Sequence, residues 1–274
     1  MKALICLVLA LAPSSRAGWS WHKSLSPHFA IHHEAAFLPD GYMMSLERLH
    51  GRLRLDLGMF SPWMGKERLK LYLYRNRRSY LTGEFKPPSW SNGISLYDKR
   101  TVVVHDQVDR AKLLEVTAHE TTHILFESYW GEAGKTAPGW LNEGLAMVQE
   151  GDPEHPERSD WFGAMATLLE TGYLGFDDFM SLDSADDFKN DKSRVQTWYV
   201  QAYSLSYFLL RKHSRFQFKN LCAALRDGKP VQEAFWLVYR YKNTAQLEKA
   251  WVEWLMRRET RRKIQNRPRR GNAS

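Results

Sequence analysis

Two histidines flanking a glutamate, in Ala118-His119-Glu120-Thr121-Thr122-His123, have the residue types and spacing best suited to chemistry in this chain. They fall inside the apolar-periodic run Leu113 to Tyr129, which predicts a helix. Positions four apart on a helix lie one turn above each other, so His119 and His123 can aim two imidazoles at one point, an arrangement suited to Zn²⁺. Glu120 lies about 100° round the helix from His119, near enough to a metal-activated water to serve as its base without being a ligand. A catalytic zinc site normally has three protein ligands and one open position. Glu143 is the best candidate for the third ligand. It stands in Pro138-Gly139-Trp140-Leu141-Asn142-Glu143-Gly144-Leu145-Ala146, which predicts a second helix after a Pro-Gly turn, with nineteen residues between His123 and Glu143. The intervening Gly131-Glu132-Ala133-Gly134-Lys135 is turn-like and allows the two helices to pack face to face. Glu150, seven residues beyond Glu143 and so on the same helix face, is a candidate acceptor to orient a ligand histidine from behind.

These residues resemble those of the gluzincins, the HExxH metallopeptidases whose third ligand is a Glu on the next helix. The string Trp140 to Ala146, followed by Glu150, is similar to the W-L-N-E-G-F-A stretch of aminopeptidase-N-like enzymes. The likeness to the bacterial peptidase MA-like domain proteins is closer and covers most of the chain after residue 17. It implies an α+β, zincin-like fold in which a strand-rich N-terminal lobe feeds the HExxH helix and a helical C-terminal lobe follows the N-E-G-x-A helix. Within that lobe, Trp198-Tyr199-Val200-Gln201-Ala202-Tyr203-Ser204 resembles the Y-x-K-G segment whose Tyr hydroxyl hydrogen-bonds the developing oxyanion. On that register Tyr199 is the match, with Gln201-Ala202 in place of Lys-Gly and Tyr203, one turn later, as the competing position.

The elements that must position this site can be taken in order. His28 to His33 reads as a strand, Asp40 to Leu57 as an amphipathic helix closed by Gly58, and Leu69 to Tyr74 as an alternating strand. Arg75 to Phe85 reads as a short helix. Trp90 to Tyr97 and Thr101 to His105 read as two strands joined by the polar turn Asp98-Lys99-Arg100. The first of these two, with Gly93, Ile94 and Ser95 at its centre, is the candidate sheet edge for pairing with an extended peptide substrate. His28, His32 and His33 do not make a second metal site, because strand neighbours 32 and 33 point to opposite faces. His22, His50, His105, His155 and His213 are isolated and read as surface or capping residues. After Glu150 the chain turns helical, over Trp161 to Leu169, Thr197 to Lys212, Phe216 to Arg226, Val231 to Val238 and Thr244 to Met256. The acidic stretch Asp177 to Asp191 reads as a loop with a short turn on the rim of the cleft.

Residues 1–17 have a basic start, a short apolar run from Ala3 to Ala12 and a small-x-small site ending at Ala17, the pattern of a cleaved secretory signal. The run is short of the roughly 20 residues that span a bilayer, so retention as a membrane anchor is the alternative. Secretion or a periplasmic location follows, with the peptidase-like domain over 18–256. Loss of Cys6 with the signal leaves Cys222 alone in an apolar helical pattern, a buried thiol without a disulfide. The formal charge of +8 does not describe the body, which holds 29 basic against 30 acidic residues once 1–17 and 257–274 are set aside. Eight Lys or Arg lie in the tail 257–274, which reads as disordered and suited to weak contact with anionic envelope surfaces. Nucleic-acid binding is not implied, and no phosphate-cradling Gly loop points to a nucleotide.

Two functions fit these residues. One is an exported zinc metallopeptidase acting on a peptide or protein substrate; the other is a zinc-binding module that holds a peptide or envelope component without turnover. Glu120 favours the enzyme, because a binding site has no use for a base beside the metal. Ser91-Asn92-Gly93-Ile94-Ser95 lacks the Met-Glu-Asn of the G-x-M-E-N exopeptidase signature, which disfavours aminopeptidase action and favours internal cleavage.

Overall fold

A computed structural model describes residues 20–182 and 191–257. The proposed signal 1–17, nearly all of the basic tail and part of the acidic stretch lie outside the described residues. Strands occupy the first part of the chain and helices the second, a mixed α/β arrangement consistent with the α+β class. Five strands, β1 (His22–Leu25), β2 (Phe29–His33), β3 (Leu69–Tyr74), β4 (Gly93–Leu96) and β5 (Thr101–His105), form one sheet in the order β1-β2-β3-β5-β4. The three central strands run parallel and the two edges antiparallel. Parallel neighbours need a crossover. Helix α1 (Tyr42–Leu57) supplies it between β2 and β3, and the short α2 (Arg77–Thr82), capped by Asn76, lies between β3 and β4.

Helix α3 (Arg110–Gly131) carries the HExxH residues and begins at Asp109, whose carboxylate accepts from the N–H groups of Ala111 and Lys112. Leu113 and Ile124 pack toward the sheet and α1, whereas Ala118, Leu125, Phe126 and Trp130 pack into the helical core. A helix covered on two sides must carry apolar side chains on both, as α3 does. Helix α4 (Gly139–Glu150) packs against α3 and against α8 (Lys192–Tyr207). Gly144 makes the second contact possible: a Cβ there would lie 2.2 Å from the Ala202 carbonyl oxygen and 2.3 Å from Ser206 Oγ. Helices α5 (Asp160–Met165), α6 (Leu168–Thr171), α7 (Phe176–Ser181), α9 (Arg215–Arg226), α10 (Val231–Tyr239) and α11 (Thr244–Leu255) complete the helical part. Among the described residues no helix is long and apolar enough to cross a membrane.

Several elements differ from the sequence expectation, each for a local reason. Strand β1 carries no clear alternation and forms because β2 offers it an antiparallel edge. The expected helix over Trp161 to Leu169 is two short helices, broken where the Thr167 hydroxyl bonds the Ala164 carbonyl at 2.8 Å and competes with the backbone ladder. The start of the acidic stretch is helical, not loop: Phe176 and Phe179 fall on one face and are buried, while Asp177 and Asp178 sit favourably in the first turn of α7. His50 and His105 are buried, not surface residues. The His50 Nε2–H donates to the Met64 carbonyl at 2.9 Å with its ring stacked on His28, and the His105 Nδ1–H donates to the Asp106 carbonyl at 3.0 Å. Cys222 is a buried thiol.

After α8 the chain continues as a π-helical turn, Phe208–Lys212, which brings Arg211 to Asp56 on α1. Asp56 is almost wholly buried and accepts from Arg211 through both oxygens at 2.9 and 2.5 Å, from Arg215 at 3.0 Å and from Gln149 at 3.0 Å. Removing one partner of a buried charge pair leaves the other uncompensated, at a typical cost of about 3–5 kcal/mol. Asp56→Ala is therefore expected to lose stability of that order in urea unfolding. A loss below about 1 kcal/mol would mean that the two guanidiniums regain full hydration, and the clamp would not be structural.

Candidate metal centre

Three side chains converge in the cleft between β4, α3 and α4. His119 and His123 project from consecutive turns of α3, and Glu143 reaches across from α4. The two Nε2 atoms lie 3.0 Å apart; one Glu143 carboxylate oxygen lies 3.7 Å from His119 Nε2 and the other 3.7 Å from His123 Nε2. Donors about 2.0–2.1 Å from one tetrahedral ion stand roughly 3.3–3.4 Å from one another, and the 3.0 and 3.7 Å separations here lie on either side of that spacing. No other group of three or more His, Cys, Asp or Glu among the described residues has donor atoms gathered in this way.

The chemistry of the donors fits a cation as well as the distances do. His119 Nδ1 lies 2.7 Å from Glu150 Oε1, and His123 Nδ1 lies 3.1 Å from Asn142 Oδ1. Both partners accept, so both Nδ1 atoms carry a hydrogen and each ring turns its Nε2 toward the same point. Two lone pairs facing each other repel unless a proton or a metal ion lies between them. Burial alone would lower the His119 pKa; the hydrogen bond and charge of Glu150, with Glu120 and Glu143 nearby, reverse this and raise it to about 9. The site thus favours positive charge, and a divalent cation held by two imidazoles and a carboxylate meets that demand.

A second layer holds these ligands in place. Glu150 takes the Trp161 indole N–H on its other oxygen at 2.8 Å, so both of its oxygens are engaged. The Asn142 amide donates to Glu127 at 2.7 Å, which leaves its oxygen for His123. Burial raises the Glu127 carboxyl pKa, an effect opposed by His123 and Asn142. Asn142, Glu127 and Trp161 lie outside the site expected from the sequence. Glu127 does carry a signal there, being four residues beyond His123 on the same helix face. Trp161 carried no such signal, because it reaches the site from a separate short helix.

Glu120 lies on the β4 side of the cleft. Burial raises its pKa, His119 and His123 pull it down, Glu143 raises it, and a hydrogen bond from Ser95 lowers it. Strand β4 is a sheet edge, paired among the described residues only with β5. Its alternation divides the three residues expected to meet substrate. Gly93 and Ser95 face Glu120, whereas the Ile94 side chain packs with Tyr74, Tyr80 and Val103 on the opposite face of the sheet. Gly93 is required by close approach: a Cβ there would stand 2.8 Å from Glu120 Cγ and 2.8 Å from Val116 Cγ1. The two tyrosines also separate. Tyr199 lines the cleft with His119, Glu120, His123 and Glu143, whereas Tyr203 is buried and hydrogen-bonded to Ser159.

A sequence model of the peptidase MA superfamily matches residues 59–257, a span that contains β3 to β5 and every residue of this centre. The chain belongs to the peptidase MA superfamily. No curated protein matches it. The match begins after α1, although β1 and β2 of this peptidase MA chain share one sheet with the matched strands. Membership in this generally metal-dependent superfamily supports a metallopeptidase, and His119, His123 and Glu143 are the group able to hold its metal.

Proposed function

We propose that this chain is an exported zinc peptidase of the gluzincin type that cleaves internal peptide bonds. The observation that carries the reading is the triangle of His119, His123 and Glu143 donors with Glu120 beside it, at the foot of a free sheet edge. Zinc bound there supplies Lewis acidity, lowering the pKa of water and polarising the scissile carbonyl. The residues of the chain do the rest. Glu120 accepts the proton of the attacking water and returns it to the leaving amine, a role that its burial-raised pKa suits. Tyr199, which lines the cleft, is the hydroxyl donor for the developing oxyanion. Glu150 and Asn142 fix the ring orientation of the two histidines. The free main-chain groups of β4 align an extended substrate by strand addition. Export rests on the apolar run at residues 3–12 and the small-x-small site that follows it.

Internal cleavage is supported by the lining of the cleft. Its only carboxylates among the described residues are Glu120 and Glu143, both committed to the metal chemistry, so none remains to hold the free amine of a substrate N-terminus. The test is mass spectrometry of digests of matched peptides with and without N-terminal acetylation. Both are expected to be cut at the same interior bonds and at comparable rates. Cleavage restricted to the first bond of the unblocked peptide would overturn the endopeptidase reading, and no cleavage of either by the zinc-loaded protein would overturn turnover itself.

A further inference from the structure

Trp161 stands between two cavities of different character. On one side is the metal cleft, about 450 Å³, which apart from the metal set and Glu120 is walled by uncharged side chains including Trp90, Met147 and Tyr199. On the other is a cavity of about 540 Å³ bounded by α1, the start of α3, the end of α4 and α5, where Arg52, Lys112, Glu115, Arg158 and Asp160 contribute charges of both signs. Trp161 belongs to the wall of both. Its ring is held there. The indole N–H donates to Glu150 at 2.8 Å, Glu150 is itself bound to His119 at 2.7 Å, and the ring is stacked with Tyr203 at a centroid distance of 6.4 Å. The side chain cannot swing aside without releasing the carboxylate that orients a metal-ligand histidine.

We propose that Trp161 is a specificity-determining residue: it confines the substrate side chain beside the scissile bond to the uncharged metal cleft and closes off the charged cavity, so that the substrates are peptides with an apolar residue at that bond. This rests on the peptidase reading. The physical reason is desolvation. A long cationic or anionic side chain lying against Met147, Trp161 and Tyr199 gives up part of its water without meeting a charged partner on them, whereas an apolar side chain gains by the same contact. Side chains of both charges lie beyond Trp161, where a charged substrate group would find a polar surrounding. Selectivity of this origin is set by the wall and not by the chemistry, so it should change when the wall is removed.

The experiment compares kcat/KM for N-acetylated peptides in which the residue on each side of the cleaved bond is varied in turn among Phe, Leu, Arg and Glu. Wild type is expected to favour Phe or Leu over Arg and Glu at one of the two positions. Trp161→Ala joins the cavities, and the ratio of Arg or Glu to Phe at that position is expected to rise by about tenfold or more, the scale of a changed pocket contact. Trp161→Phe keeps a ring in the wall and loses only the hydrogen bond to Glu150; turnover should fall for all peptides alike while the ratio stays at the wild-type value. A ratio unmoved in Trp161→Ala, or moved equally in Trp161→Phe, would overturn the assignment, as would a wild type indifferent to charge at both positions, a result that needs no folded variant. A wild type that cuts no peptide overturns the peptidase reading, and this inference with it, whereas cutting without the stated preference overturns the inference alone.

Discussion

A Glu120→Gln variant is expected to keep its zinc and its fold and to lose a factor of about 10² to 10⁴ in turnover, the usual contribution of a positioned general base. The amide has the shape of the carboxylate and cannot accept a proton from water. Nothing in its surroundings penalises the exchange. Glu120 is not among the three converging donors, and the Ser95 hydroxyl that bonds it can donate to an amide oxygen as well as to a carboxylate. Removing a buried acidic group is not expected to cost stability either, since burial already disfavours its charged form. The decisive comparison is kcat/KM on an acetylated peptide and zinc content measured on the same preparation. A rate within about threefold of wild type would remove Glu120 from the base role assigned to such a positioned group, and loss of zinc would instead make it a ligand.

How far the site could be read before folding depends on how local each relation is. His119, Glu120 and His123 stand on consecutive turns of one helix, and Glu143 and Glu150 share one face of the next helix, so the period of 3.6 residues places them without tertiary information. The strand alternation of Gly93 to Leu96 is equally local, although which face meets α3 is not; only packing shows that Gly93 and Ser95 turn to Glu120 and Ile94 away from it. Relations that span the chain left no trace. Asp56 and Arg211 are 155 positions apart and meet because a π-helical turn re-aims the arginine. Trp161 follows a loop of no regular period, and α7 hid behind two aspartates whose charge outweighed the i, i+3 spacing of Phe176 and Phe179. Buried His50 and His105 depart from the expected surface or capping position for the same reason, since a lone histidine shows its carbonyl partner only once the chain has closed around it.

The metal gives the other large effect. Purified wild type is expected to carry one zinc per chain, and the double variant His119→Ala, His123→Ala to carry none, because it removes both imidazole donors and leaves Glu143 as the last of the three. Glu150→Ala separates geometry from coordination. It leaves all three donors in place but frees the His119 ring from its 2.7 Å hydrogen bond, and loss of such an outer partner typically weakens metal binding about 10- to 100-fold. The expected order of zinc affinity in competition with a chromophoric chelator is therefore wild type, then Glu150→Ala, then the double variant with no measurable site. Unchanged zinc stoichiometry in the double variant would place the metal elsewhere in the chain. An unchanged affinity in Glu150→Ala would leave the triad intact but show that His119 is oriented by the packing of α3 and not by the carboxylate behind it.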